Sequence, residues 1–404
     1  MSDPAPASAS VDAPVADWLD PAQMMRDPYP SYARLREMGP VVYVPAIRRH
    51  LLTTHAAVVA AEQHPEQFSS YSERNLTIVR ALGGRRPMLR KDDPEHAAER
   101  SAINPTLRPR QVTDIWSPRF RENVERYLDR LESIGPAMAD LNRDFAAPVA
   151  SQNLIDMLGF PEDVRVEDLH RWSTDFIAGT GNLLDDPAIW ARCDRSQAEV
   201  GAVLDELLPR LRRTPDGSIT SHLVEVGLPD EVVRANVLLT ISGGMNEPQH
   251  MVSNMVWALD GHPDQLELLR EGEASWGAAF EEAVRWLSPI GKIPREVRVP
   301  IEDFLGVRLE EGSDVGLLLA SANRDEAVFP DADAFEVRRN ARGHLAFGQG
   351  AHMCAGKWAA KSAIGETALP MLYERFPRLR VDRARETTWD GWVFRGITAL
   401  PVTW

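Results

Sequence analysis

The run Phe347-Gly348-Gln349-Gly350-Ala351-His352-Met353-Cys354-Ala355-Gly356 sets one cysteine at the end of a glycine-punctuated loop, directly ahead of an amphipathic stretch. Gly348 and Gly350 can take positive φ or admit a flat macrocycle against the backbone, where a Cβ would obstruct it. Cys354 then falls at the N-terminus of the next helix, where unpaired N–H groups and the positive end of the dipole favour a thiolate over a thiol. A thiolate held this way is a metal ligand. A zinc site would need further Cys or His at ligand spacing, which this region lacks. The other cysteine, Cys193, lies in a helical pattern without such surroundings and reads as packing.

Other charged groups have spacings that suit an anionic, planar ligand. His96 and Arg100 fall four apart behind Pro94, so one helix face presents both and can clamp an anion. Glu282 and Arg285 form an acid–guanidinium pair three apart, Arg295 opens the strand expected after them, and His352 precedes Cys354 by two. A long helical pattern over 229–260 has at its centre Gly243-Gly244-Met245-Asn246-Glu247-Pro248. The two glycines open a groove on the helix face that Glu247 shares. Pro248 has no N–H to give the Gly244 carbonyl, so a kink is expected there. A shielded Glu247 carboxyl, with Asn246 beside it, suits proton delivery, because burial raises a carboxyl pKa.

The cysteine loop fills every fixed position of the FGxGxHxCxG signature, and the chain resembles the cytochrome P-450 monooxygenases. That resemblance implies haem b with Cys354 as the axial iron ligand, a push that favours cleavage of dioxygen. It implies His96, Arg100, Arg295 and His352 on the haem propionates, with Phe347 and Gly348 in the cofactor-binding loop. Glu247, Asn246 and the Gly244 carbonyl become the catalytic candidates. Most members carry an acid and a threonine where this chain has Asn246 and Glu247. The Asn-Glu-Pro string, with Ser288-Pro289-Ile290, Ser321-Ala322-Asn323, His344 to Gly348 and Trp392 to Gly396, resembles bacterial guaiacol-type aryl O-demethylases. By that likeness Leu239, Gly243, Ile290 and Phe394 wall a substrate pocket, with Phe176 or Thr180 nearest to a further aromatic wall.

The implied reaction is O2- and NAD(P)H-dependent O-demethylation of a small lignin-derived methoxylated aromatic, of guaiacol, alkylguaiacol or syringol type, releasing formaldehyde. Electrons would come from a separate ferredoxin or flavin and iron-sulfur reductase, since the stretch after Gly356 is too short to form one. Lys357, Lys361, Arg108 and Arg110 are candidates to dock it. The alternatives are C–H hydroxylation of an alkylphenol, terpenoid or fatty acid, and a non-catalytic haem gas sensor, which would need neither donor surface nor acid.

The elements expected to position these groups are mainly α with small β-sheets. Helical periodicity covers 29–38, 95–106, 118–133, 146–158, 191–212, 229–260, 263–269, 274–287 and 355–375; strands are expected at 41–44, 50–53, 296–299, 315–319 and 398–403. Pro370 should kink or divide the last helix. Motifs of one pocket spread from His96 to Phe394, so a single haem-thiolate domain over 17–404 is expected after a disordered Ala/Pro/Ser-rich tail, 1–16. Two cysteines exclude a disulfide framework, and the opening residues lack the pattern of a signal peptide, so a cytoplasmic enzyme is expected. A net charge of −15 argues against nucleic-acid binding, and no apolar run reaches membrane-spanning length. The basic stretch 74–91 lies where the family covers its substrate, and reads as a solvated loop or a contact for an aryl acid.

Overall fold

The computed structural model describes residues 12–74 and 76–404. The helices that bear on the site are α1 (Tyr29–Met38), α2 (His55–Gln63), α3 (Glu95–Ile103), α4 (Val166–Thr180), α5 (Pro187–Arg213), α6 (Asp230–Gly261), α7 (Trp276–Leu287) and the short α8 (Lys357–Ala360). α6 crosses the molecule and packs against α4 and α5. It starts behind Pro229 with Asp230 and Glu231 in its first turn, where acids complement the dipole, and stops where His262 and Pro263 cannot extend it. It stays one helix through Pro248, the position at which a kink is expected.

Five strands form the main sheet: β1 (Val41–Val44), β2 (Arg49–Leu52), β3 (Phe68–Ser69), β4 (Ile293–Val297) and β5 (Asp314–Leu317), in the order β1-β2-β5-β4-β3. Only β2 and β5 run parallel. Arg295 is the middle residue of β4, opposite Val315, and does not open the strand as expected. The strand expected at 398–403 is two, Gly396–Ala399 and Val402–Thr403, interrupted at Pro401. Residues 1–11 of the expected tail lie outside the described residues. Its end is not tail-like: the Ala16 N–H donates to the Tyr43 carbonyl at 2.9 Å, the Tyr43 N–H donates to Pro14 at 2.8 Å, and Ala16 is buried.

Three prolines are accommodated by one device. Wider, π-type turns at Val112–Trp116, Asn142–Ala146 and Lys361–Ala368 each lead into an α-helical segment whose second residue is Pro118, Pro148 or Pro370. The residue before each proline donates five residues back, to Val112, Asn142 or Ile364. The widened turn accommodates a residue with no N–H whose ring would crowd the carbonyl four back. Pro370 therefore does mark a break in the 355–375 pattern.

The pair Glu282–Arg285 on α7 fixes the segment that leads to the cysteine loop. Both side chains are wholly buried and meet through two bonds, Nε to Oε2 at 2.7 Å and Nη2 to Oε1 at 2.8 Å. Arg285 also donates to the carbonyls of Asn323, Ala332 and Ala334, and Glu282 accepts from the Glu336 N–H and Arg339. Burial of such a pair is tolerable only with every donor and acceptor used. Arg285→Ala is expected to lower stability by about 3–5 kcal/mol, the cost of leaving one buried charge unpaired, read as the denaturant midpoint; an unchanged midpoint would remove the pair from this role.

Candidate functional site

The cysteine loop is built as its glycines require. Gly348 has φ of +62° and Gly350 +67°, and a Cβ on Gly350 would come within 2.8 Å of the Glu62 carbonyl on α2. The Cys354 N–H donates to the Phe347 carbonyl at 2.8 Å, closing the loop, and the Phe347 ring lies against Phe280 of α7. Ahead of α8, the Cys354 sulfur accepts from the Gly356 and Lys357 N–H groups. Burial raises the thiol pKa; those two N–H groups and Arg100 pull against it. Cys193 is fully buried beside the Ala81 carbonyl at 3.5 Å, a packing residue as expected.

Cys354 is deep in the fold yet has an open surface. Glu247 on α6 shows the same combination and its charge acts on Cys354, while Gly243, one turn earlier, has an open surface. These groups border a space inside the molecule. Leu239, Ile290 and Phe394 are likewise only partly covered, and Ile290 pairs with Phe394 in an isolated antiparallel bridge. Phe176 does not share that opening: it is wholly buried in the apolar cluster of α4 and α5 that also holds Cys193, and is packing rather than pocket wall. Thr180 offers its carbonyl to the Thr77 hydroxyl at 2.8 Å.

One edge of this space collects positive groups. His96 and His352 stack with ring centroids 4.0 Å apart. Arg100 donates to the Met353 carbonyl and, at 2.9 Å, to Asn104. Arg295 is almost covered, and its nearest acid is Glu62 at 3.8 Å. Arg90, read from sequence as part of the basic stretch 74–91 and not as a cofactor residue, stands with them; its side chain has no hydrogen bond or ion pair among the described residues, and its Nε is buried and unmatched. Burial and the charges of Arg295, Arg49 and Arg86 press its pKa down to about 9. Burial, then Arg295, His96, Arg90 and Arg100, push His352 down to about 3. The charge density exceeds what local acids balance.

Glu62, also missed from sequence, holds the other side of the loop. Its Oε2 accepts the Gln349 N–H at 2.9 Å while Oε1 lacks a hydrogen bond. Burial lifts its pKa to about 7 against the pull of Arg295 and that N–H.

A model of cytochrome P-450 matches residues 277–376, which span α7 and the cysteine loop. Pentalenic acid synthase of Streptomyces avermitilis is 32% identical over 416 residues, covering 98% of each chain, and vitamin D(3) 25-hydroxylase of Pseudonocardia autotrophica is 30% identical, covering 94% of each. The chain belongs to the cytochrome P-450 family. Among solved structures, P-450BioI bound to an acyl carrier protein carrying hexadec-9Z-enoic acid superposes with a TM-score of 0.85 at 26% identity, covering 95% of this chain and all of the other.

A cytochrome P-450 uses haem b, and the donor set here fits it. Two carboxylates on one edge of a flat ligand would meet the guanidiniums of Arg100, Arg90 and Arg295, whose charge calls for anions, and the imidazoles of His96 and His352, while Cys354 offers sulfur to the metal. Among the described residues no cluster of three His, Cys, Asp or Glu could hold a separate metal ion, and no helix is long and apolar enough to cross a membrane. The cations expected to dock an electron donor are largely engaged. Lys357 and Lys361 turn to Glu281 at 3.9 and 3.1 Å, and Arg110 meets Asp114 at 3.2 Å; of the four, Arg108 alone has no ion pair among the described residues. The basic stretch is solvated over most of its length, with Arg74, Arg80 and Arg85 exposed while they reach Glu296, Asp185 and Glu231; only its end turns inward, where Lys91 bonds Glu99.

Reduced protein under carbon monoxide should show the red-shifted Soret band of thiolate ligation. Cys354→Ala should abolish it and Cys193→Ala should not. The opposite pattern would overturn the site.

Proposed function

We propose that this P-450 monooxygenase removes the methyl group of a small methoxylated aromatic of the guaiacol, alkylguaiacol or syringol type, giving a phenol and formaldehyde. The observation that supports this reading is the Asn246-Glu247-Pro248 run on α6, facing the same interior space as Cys354. Haem b, held through Cys354, supplies the oxygen-activating iron. His96, Arg100, Arg90, Arg295 and His352 hold its carboxylates in this proposal.

The chain's own part begins with shape. Gly243 contributes no side chain, so a flat ring can lie against α6 between Leu239 and the Ile290–Phe394 pair. These apolar walls exclude water and present the methoxy carbon to the reacting centre. Proton supply follows. The Glu247 Oε1 accepts from Asn246 at 3.3 Å, and burial, the dominant cause, lifts the carboxyl to about 7. A group titrating there holds a proton at neutral pH and can release it at Oε1 or Oε2. The Gly244 carbonyl, left without a helical donor by Pro248, is a fixed acceptor one turn away for a water on that path. Electrons come from a separate donor protein.

The names of two relatives, vitamin D(3) 25-hydroxylase and pentalenic acid synthase, favour a second reading, hydroxylation of a larger aliphatic or terpenoid C–H bond. A panel of guaiacol, alkylguaiacols, syringol, methoxybenzoates, camphor and fatty acids separates the two. Formaldehyde in proportion to demethylated product supports O-demethylation; turnover of camphor or a fatty acid with no formaldehyde from any methoxyarene contradicts it. Glu247→Ala should leave substrate binding nearly intact and divert NAD(P)H consumption to peroxide. In the parent protein, product formed per NAD(P)H should fall as pH rises through about 7, because the carboxyl then loses its proton. Glu247→Gln should lack that fall, and a fall that persists in Glu247→Gln would assign it to another group.

A further inference from the structure

Two cations remain that neither the cysteine loop nor the clamp around His352 uses. Lys292 follows α7 by five residues, in the extended run that leads into β4. Lys292 lies two residues past Ile290, whose isolated bridge to Phe394 brings the bend at Trp392 and Val393 alongside it. The Gly291 N–H bond to the Val393 carbonyl, at 2.8 Å, ties the two segments together, and the Lys292 ammonium sits 4.0 Å from the centre of a Trp392 ring. A lysine over an indole therefore lies two residues from each member of the Ile290–Phe394 pair.

Lys292 forms no ion pair and no hydrogen bond among the described residues. Its electrostatic neighbour is another cation, Arg49 of β2, whose Nε is buried and unmatched. Burial and Arg49 bring the Lys292 ammonium down to about 7. Arg49 in turn acts on Arg90, so the positive charge is continuous from the clamp to the pocket wall. Two like charges brought together under partial burial, with no acid between them, are unfavourable unless an anion joins them. An aromatic platform beneath the ammonium suits a planar acid.

We propose that Lys292 and Arg49 bind a carboxylate on the substrate, so that a guaiacol-type ring that carries an acid group is preferred over guaiacol itself. This rests on the O-demethylase reading for the ring, while the carboxylate site stands on Lys292 and Arg49. Ring and methoxy group occupy the space between Gly243 and Phe394, and the acid points away from the iron ligand toward β2.

The test compares 4-hydroxy-3-methoxybenzoate with its uncharged amide and with guaiacol, reading the dissociation constant from the low-spin to high-spin absorption shift and, independently, from calorimetry. Charge-assisted bonds of this kind favour the acid over the amide by about tenfold or more. Lys292→Met and Arg49→Gln should each remove most of that preference and leave amide binding within about twofold of the parent. Lys292→Arg should retain it, and the carbon-monoxide band confirms that each variant is folded and loaded. Equal binding of acid and amide, or a preference that survives both Lys292→Met and Arg49→Gln, overturns the proposal. If guaiacol still yields formaldehyde in that case, the O-demethylase reading stands without it. If instead hexadecanoate binds in a Lys292-dependent way and no methoxyarene binds, the carboxylate site is supported and the O-demethylase reading falls.

Discussion

Concentrated positive charge under partial burial is the constraint that organises this molecule. Arg90, Arg100 and Arg295 converge with the imidazoles of His96 and His352 on one edge of an interior space; Asp93 meets His96 at 3.1 Å, and the acids near the three guanidiniums are too few or too distant to balance them. Glu62 stands 3.8 Å from Arg295 and is itself pushed toward its neutral form. An arrangement of this kind is unfavourable until anions enter it. A ligand that brings two carboxylates and a metal for Cys354 resolves it, and haem b has both. Binding of the cofactor and stability of the site are then one process, because whatever binds the folded chain alone stabilises it.

The surrounding structure follows from holding that charge in place. The Glu282–Arg285 pair anchors 323–339 to α7 and so fixes the approach to the cysteine loop. Glu62 fixes the opposite side by bonding the Gln349 backbone, and only glycine at 350 lets α2 approach so closely. α6 closes the space from above with a glycine pair, a buried acid and a proline that removes one backbone donor. Each of these features trades local stability for an open or polar surface at the site, and the apolar clusters on both sides of α6 offset that cost.

Much of this was legible in the sequence because some residue types admit few explanations. Gly348 and Gly350 announced positive φ, the spacing of His96 and Arg100 announced a shared face, and the 3.6-residue period located most of the long helices. What stayed hidden depends on tertiary context. α4 has its apolar residues Leu169, Trp172 and Phe176 at helical spacing, yet Ser173, Thr174 and Gly179 dilute the pattern, and Gly179 is small because Cys193 and Ala81 press against it. Arg90 sat in a basic stretch and Glu62 at the end of an Ala/Val-rich run, with nothing nearby in sequence to mark either; their roles arise only when β4 and the cysteine loop meet them. Phe176 was placed on the pocket by likeness to another sequence, whereas its neighbours enclose it. The π-type turns had a signal in hindsight: a proline inside two of the helical patterns, at 148 and 370, and one opening a third, at 118.

The central claim is that the interior cations are arranged for two carboxylates. Reconstitution of apoprotein with iron protoporphyrin IX and with its dimethyl ester, which keeps the iron and the ring and neutralises both acids, tests it directly. The account predicts that the ester binds far more weakly than the free acid, and that Arg295→Leu and Arg90→Leu narrow the gap by weakening the acid alone. Equal affinity for acid and ester in the parent protein would contradict it.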